Sequence, residues 1–532
     1  MKMRLVLPAC LLVVSSAGTS RAQLTTEQIA RASSQPQNWV TYSGDYAGRR
    51  YSELQQITAA NVAKLAPAWV FQTQVPGKFE TTPLVINGIM YFTGPDDHGY
   101  AVDARTGRAI WRYEQNLPVK LPACCGHVNR GFAALGDLLF MATLDGHVVA
   151  LDAKTGDLVW DAAAADASLG YTFTVAPLVV KDKVIVGIAG GEYGVRGFID
   201  AYDAATGKRA WRFYTIPGPH EPGNETWAGD SWTRGGAPAW MTGTYDPQLN
   251  LIYWGTGNPA PSDDSSQRAG DNLYSNCVVA LDADSGKLKW HFQFTPADAH
   301  DWDATEVPVL FDANWEGRSR KLMAFANRNG FYYLLDRTDG KFLLAKPFGR
   351  VTWAKEIGSD GRPRLLPAAA ESKEGAVVCP GAAGATNWMS PSLSPQTGLL
   401  YVSAREQCDL FVGIPQEFRP GHPYIGSVYF KPAEEKPWGA LRAIDPLTGQ
   451  VKWEFKHVSP PWAGALSTAG GVVFTGDMEG YVIAFDARTG KDLWHFGTGS
   501  TIYASPMTYA VDGKQYVAIA SGSALFAFAL GE

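Results

Sequence analysis

Short runs of alternating apolar and polar residues recur along the chain. Six of them run into one pattern, Ala-x-Asp-x-x-Thr/Ser-Gly-x-x-x-Trp. The copies begin at Ala101, Ala150, Ala201, Ala280, Ala443 and Ala484 and close on Trp111, Trp160, Trp211, Trp290, Trp453 and Trp494. The two-residue alternation predicts strands with one buried face. Asp-x-x-Thr-Gly predicts a hairpin turn with glycine where φ is positive. The next strand delivers the Trp, which can pack between neighbouring sheets. LLDRTDGKFLL, from Leu334, is a degenerate seventh copy, and Trp69 in LAPAWVF closes an earlier unit lacking the turn. Neighbouring copies lie about 40 to 50 residues apart, with wider gaps where insertions occur. Short strands at this period predict propeller blades, and because one blade cannot bury both its faces, the blades must close into a ring.

Composition fits that picture. All-β propellers run long as single units, so 532 residues need not mean several domains. The 56 glycines imply many tight turns. A net charge of −6, with no basic stripe, gives no electrostatic reason to expect nucleic acid as a partner. Residues 1–22 read as a secretory signal. Lys2 and Arg4 precede the apolar run Leu5 to Val14, and Ser20-Arg21-Ala22 resembles a cleavage site. That run is too short to span a bilayer, which implies a periplasmic protein without stable membrane insertion. Cys124, Cys125, Cys277, Cys379 and Cys408 then remain, and pairing is the default in an exported chain. A bridge between neighbours brings the Cα atoms closer than disulfides usually allow, so the residues alone argue against Cys124–Cys125. No Cys-x-x-Cys-His occurs, so no covalently attached c-type haem is expected.

The repeat explains turns and core but not the acidic and amide residues set among glycines in the insertions. Glu192 lies in GIAGGEYGVRGF, Asn258 in YWGTGNPAP, and Asp301 and Asp303 in DAHDWDATEV. Taken singly, each has an ordinary reading: a solvated carboxylate, a turn-forming Asn-Pro, an acidic loop. Together they offer hard oxygen ligands suited to calcium. Zinc-type His/Cys spacing, an EF-hand loop, a phosphate-cradling loop and a Gly-x-Ser-x-Gly elbow are all missing from the sequence.

CCGHVNRG, GGEYGVRG, GTGNPAP, HDWD and NRNGFYYLLDRTDG occur in that order, and with the Trp repeats they resemble the quinoprotein alcohol dehydrogenases. That family includes calcium-containing methanol and ethanol dehydrogenases. The resemblance covers residues 23–532 and implies a single all-β domain, an eight-bladed β-propeller with tryptophan-docking repeats. It implies pyrroloquinoline quinone (PQQ) and calcium as cofactors. Glu192, Asn258 and Asp303 would hold the metal, Asp303 would be the general base, and Arg328 would contact the reactive carbonyls. Cys124 and Cys125 would bridge against one cofactor face and Trp240 would stack on the other. Glu80, Arg130, Thr174, Ala189, Gly190 and Gly191 would contact its carboxylates and rim, with Trp462 near its edge. Cys379 and Cys408 would form a second bridge and leave Cys277 a buried thiol. An alcohol, primary or secondary, would be the substrate, and a separate soluble c-type cytochrome would take the electrons.

The sequence departs from that family at three places. Pro238-Ala239 precede Trp240 where a Thr is frequent, and Arg405 stands where an Asn is usual. Thr305 occupies a position at which lanthanide-using relatives carry an extra Asp, which favours calcium. Segments 220–232 and 418–432, rich in aromatics and glycine, are candidate lids over a substrate pocket. Two other readings compete: a non-catalytic periplasmic scaffold, and a PQQ-dependent sugar or polyol dehydrogenase.

Overall fold

The computed structural model describes residues 24–369 and 374–531. The signal sequence expected at 1–22 lies outside them. Among the described residues the chain is almost wholly β, with one five-residue α-helix, Thr26–Ala30, and a few 3-10 turns. Seven four-stranded sheets and one five-stranded sheet follow one another along the chain. The first is built by Leu84–Ile86, Ile89–Thr93, Gly99–Asp103 and Ala109–Tyr113, ordered as they occur. Sheets of the same meander order occupy 133–163, 178–214, 244–293 and 309–347. In the sheet at 392–457 the meander is interrupted between Leu399–Glu406 and Trp438–Ile444. The inserted chain supplies Asp409–Gly413 and Ser427–Phe430, which form a three-stranded sheet with Ala376–Val378 from just before the blade. The sheet at 466–497 gains Tyr51–Ser52 as a parallel fifth strand.

The last sheet joins the two ends of the chain. Leu65–Gln72 pairs antiparallel with Ala524–Leu530, beside Lys514–Ser521 and Met507–Val511. Trp69 therefore belongs to no earlier unit; its strand completes the C-terminal sheet. Sequence patterning cannot show a pairing across some 450 residues, because alternation marks a strand and not its partner.

The repeat tryptophans link each sheet to the next. Indole N–H groups donate to backbone carbonyls across the gap: Trp69 to Ala104 at 3.0 Å, Trp111 to Ala153 at 3.0 Å, Trp160 to Ala204 at 3.0 Å and Trp211 to Ala283 at 3.3 Å. Trp453 donates to Ala487 at 3.2 Å, and Trp494 returns to Leu65 at 3.1 Å. The turn glycine explains the conserved spacing. Gly156 has φ +79°, and a Cβ built there would meet the Trp111 ring at 2.8 Å, so the same residue makes the turn and seats the indole. The degenerate copy keeps the turn, with the Gly340 N–H donating to the Asp336 carbonyl at 2.9 Å. It lacks the Trp, and Tyr332 instead reaches the Pro446 carbonyl of the following sheet at 2.7 Å.

Cys379 and Cys408 are bonded, S–S 2.02 Å, and staple the inserted sheet at the end of its first strand and the start of its second. Cys277 is a buried free thiol. No described helix is long and apolar enough to cross a membrane.

Candidate active site

The first strands of the sheets converge on a cavity of about 360 Å³. Its walls are largely the residues that enter those strands. Glu80, Thr174, Trp240, Trp462 and Tyr503 each lie four residues ahead of the strands starting at Leu84, Leu178, Thr244, Leu466 and Met507. Arg130, Asp303 and Asn387 sit at similar offsets before Ala133, Val309 and Ser392. Each sheet thus delivers a side chain to the centre from just ahead of a strand, on a rigid strand entrance.

Asp303 is the best-held group. Its Oδ2 accepts from Trp240 Nε1 at 2.9 Å and from Arg328 Nη1 at 2.6 Å, and its Oδ1 accepts the Asn258 backbone N–H at 2.7 Å. Three donors, one of them a cation, fix the orientation of the carboxylate. Asn258 is buried beside it, and a Cβ built on Gly191 would fall 3.1 Å from the Asn258 Oδ1. That approach brings the Gly191–Tyr193 turn, which carries Glu192, against Asn258. Burial, and then the nearby Asp303 charge, push the Glu192 carboxyl up to about 7. Glu192, Asn258 and Asp303 therefore gather at one end of the cavity. Their oxygens are the groups that a cation would relieve. The Glu192 carboxylate also lies within 4.8 Å of the Cys124 and Cys125 sulfurs. Those sulfurs are bonded to each other and offer no thiolate to a metal, so a cation there must be held by oxygen.

The other expected residues split into a lining and a backing. Glu80, Cys124, Cys125, Arg130, Thr174, Ala189, Gly190, Trp240, Arg328 and Trp462 face the cavity. Gly191 and Asn258 stand behind it. Arg130 pairs with Glu80 at 2.6 Å, donates to the Thr174 carbonyl at 3.1 Å and lies over the Trp240 ring at 4.8 Å. The buried Nε atoms of Arg130 and Arg328 have no acceptor. Burial works against the Arg328 charge, but Asp301 and Asp303 outweigh it and hold its pKa above the usual range.

Several lining residues escaped the sequence reading. Trp388 stacks on Trp462 with centroids 4.2 Å apart and planes 8° apart, and meets Trp240 edge-on. Lys78 donates to the Cys125 carbonyl at 2.8 Å. Gln407 and Asp409 form a further wall together with Asp301 and with Tyr429 of the 418–432 segment, both of which the sequence singles out. The strand-entry register would have flagged Asn387, with Trp388 beside it, and Tyr503. Glu306 is buried behind Asp303 with both carboxylate oxygens unpartnered, and burial raises it well above the ordinary range. Of the two candidate lids, 418–432 contributes Tyr429 and its Tyr424 N–H donates to the Glu192 carbonyl at 2.6 Å; 220–232 contributes no lining residue. Arg405 does not line the cavity. It lies 3.7 Å over the Trp462 ring and donates to the carbonyls of Pro460 and Pro461.

The family model of the PQQ-type glucose/ethanol/alcohol dehydrogenase β-propeller domain matches residues 39–346 and 362–517. The quinoprotein alcohol dehydrogenase PedH of Pseudomonas putida is 41% identical over 97% of this chain and 91% of its own length. A lanthanide-dependent methanol dehydrogenase of Methylacidiphilum fumariolicum is 39% identical, over 93% of this chain and 86% of its own. The solved quinohemoprotein alcohol dehydrogenase of Comamonas testosteroni superposes with a TM-score of 0.91 at 37% identity, covering 96% of this chain and 83% of that one. Sequence and architecture agree along nearly the whole described chain, and it belongs to the PQQ-dependent alcohol dehydrogenase family, whose members are oxidoreductases acting on alcohols.

Proposed function

We propose that this chain oxidises a primary or secondary alcohol to the aldehyde or ketone using PQQ and calcium, with Asp303 as the general base. One observation carries the reading: both Asp303 oxygens are held by Trp240, Arg328 and the Asn258 N–H at a cavity wall shared with Glu192. The eight main sheets act as eight blades of one domain spanning 23–532, closed by the pairing of Leu65–Gln72 with Ala524–Leu530. Residues 1–22 direct it to the periplasm.

The cavity suits the cofactors chemically. A flat polyanion needs aromatic faces, cations and unsatisfied donors. Trp240, Arg130, Arg328 and the orphaned guanidinium N–H groups supply them. Cys124–Cys125 would cover the second face, with Glu80, Thr174, Ala189, Gly190, Gly191 and Trp462 around the rim. Glu192, Asn258 and Asp303 would hold the metal. Thr305, buried and uncharged, adds no carboxylate for a trivalent ion and favours calcium. When bound, the quinone supplies a hydride acceptor and the cation a Lewis acid. Asp303 removes the hydroxyl proton, Arg328 faces the negative charge that develops, and Trp240 and Asn258 keep the carboxylate aimed. Without a haem motif on the chain, electrons leave to a separate soluble c-type cytochrome.

Apoprotein should reduce an artificial acceptor dye with alcohols only after PQQ and calcium are added. Absence of both cofactor absorbance and turnover across a broad alcohol panel would overturn the reading. Activity with lanthanum but not calcium would overturn the metal assignment alone.

A further inference from the structure

A polyanionic cofactor needs counter-charge as well as hydrogen-bond donors. Among the described residues the cations lining the cavity are Lys78, Arg130 and Arg328. Both arginines are already matched by carboxylates. Arg130 pairs with Glu80 at 2.6 Å, and both are buried. Arg328 pairs with Asp303 at 2.6 Å and with Asp301 at 3.1 Å. Each pair cancels its own charge, so what it still offers a ligand is N–H groups. Lys78 is different. Its ammonium donates to the Cys125 backbone carbonyl at 2.8 Å, a neutral partner. Glu80 lies near enough to feel both Arg130 and Lys78, but its contact is to Arg130.

Position and chemistry agree. Lys78 stands just before Glu80, in the chain that enters the strand Leu84–Ile86. Its Nζ lies 5.9 Å over the Tyr503 ring while donating to Cys125, so the ammonium is held between two other residues of the cavity wall. The carbonyl uses one N–H, and an ammonium carries two more. Cys125 and Gly126 are exposed and Lys78 is half-buried, so this end of the cavity faces solvent. A planar polyacid seated inside would lose least hydration by placing a carboxylate here, where water stays on one side and a cation waits on the other.

We propose that Lys78 is a cofactor-binding residue whose ammonium pairs with a PQQ carboxylate at the open end of the cavity and ties it to the Cys124–Cys125 bridge. This rests on the PQQ reading above and adds a contact which that reading does not contain. A charge-assisted hydrogen bond of this kind corresponds to about 10- to 100-fold in affinity.

The test titrates the full chain, as apoprotein in calcium, with PQQ and follows the dissociation constant by quenching of tryptophan fluorescence. PQQ trimethyl ester, which lacks the carboxylate charges, is titrated alongside. Wild type should bind PQQ more tightly than the ester by about 10-fold or more. Lys78→Met should lower that ratio by about 10-fold or more, and Lys78→Arg should restore most of it. Loosening of the disulfide segment weakens both ligands and cancels in the ratio. A wild-type ratio near one, or a ratio unchanged in Lys78→Met, overturns the proposal. Salt gives a second reading: the PQQ dissociation constant should climb with ionic strength more steeply in wild type than in Lys78→Met. Parallel slopes overturn it too. Failure of the PQQ reading looks different, because wild type would then bind neither compound.

Discussion

At the scale of single residues, the site depends on how firmly one carboxylate is held. Asp303 accepts three hydrogen bonds, so Asp303→Asn should leave a side chain of the same shape that can no longer take a proton. We expect kcat/KM to fall by about 10²- to 10⁴-fold with PQQ absorbance retained. Loss of absorbance together with activity would point to metal binding rather than proton transfer. Two histidines give a pH signature of a different origin. His457 is buried and His300 largely so, and burial lowers both to about 4. The folded state therefore binds fewer protons than the unfolded state between the ordinary histidine value and about 4, and stability falls as pH drops through that window. Each contributes on the order of 3 kcal/mol of acid sensitivity. Tm measured from pH 7 to 4.5 should fall less steeply in His457→Phe than in wild type, while the two converge near neutrality. The catalytic motifs were legible because their residue types are odd against the repeat. Glu306 was not, since a carboxylate in sequence says nothing about whether its oxygens will lack a partner.

At the scale of elements, the docking tryptophan does two jobs that can be separated. Trp111 fills the space over Gly156 and donates to Ala153, whereas Trp290 packs over Gly340 with its indole N–H buried and unpartnered. Trp111→Phe keeps most of the packing and loses the hydrogen bond, which should cost about 1 kcal/mol. Trp290→Phe removes a donor that has no acceptor and should cost less, or even stabilise. Urea midpoints of the two variants decide this, and equal losses would show that only ring volume matters. The repeat made these contacts readable in advance, since turn glycine and Trp recur at fixed offsets. The inserted sheet was not readable. Two of its strands lie within another blade's sequence and the third precedes that blade, and in the sequence only the cysteine pair, known from resemblance, ties 376–378 to 409–413.

At the scale of the whole molecule, every sheet leans on the next and the circuit closes at Leu65, which accepts from Trp494 while its strand pairs with Ala524–Leu530. A repeat array without that closure would expose one blade face at each end. The periodicity announced a ring; it could not say which strand sealed it, because the sealing strand lacks the Asp-x-x-Thr-Gly turn. The seam has a sharp consequence. Deleting 524–532 strands Leu65–Gln72 without a partner and removes the acceptor position for Trp494, so the whole ring should fail rather than one blade. We expect loss of the cooperative thermal transition and of PQQ binding. Opening the chain between Gln72 and Thr73 and joining its C-terminal end to Leu24 through a flexible linker keeps the pairing of Leu65–Gln72 with Ala524–Leu530 while changing where the chain begins. That permuted protein should fold, melt cooperatively and bind PQQ. If the deletion instead melts like wild type, the ends are ornamental and the ring is held by the blade-to-blade tryptophans alone.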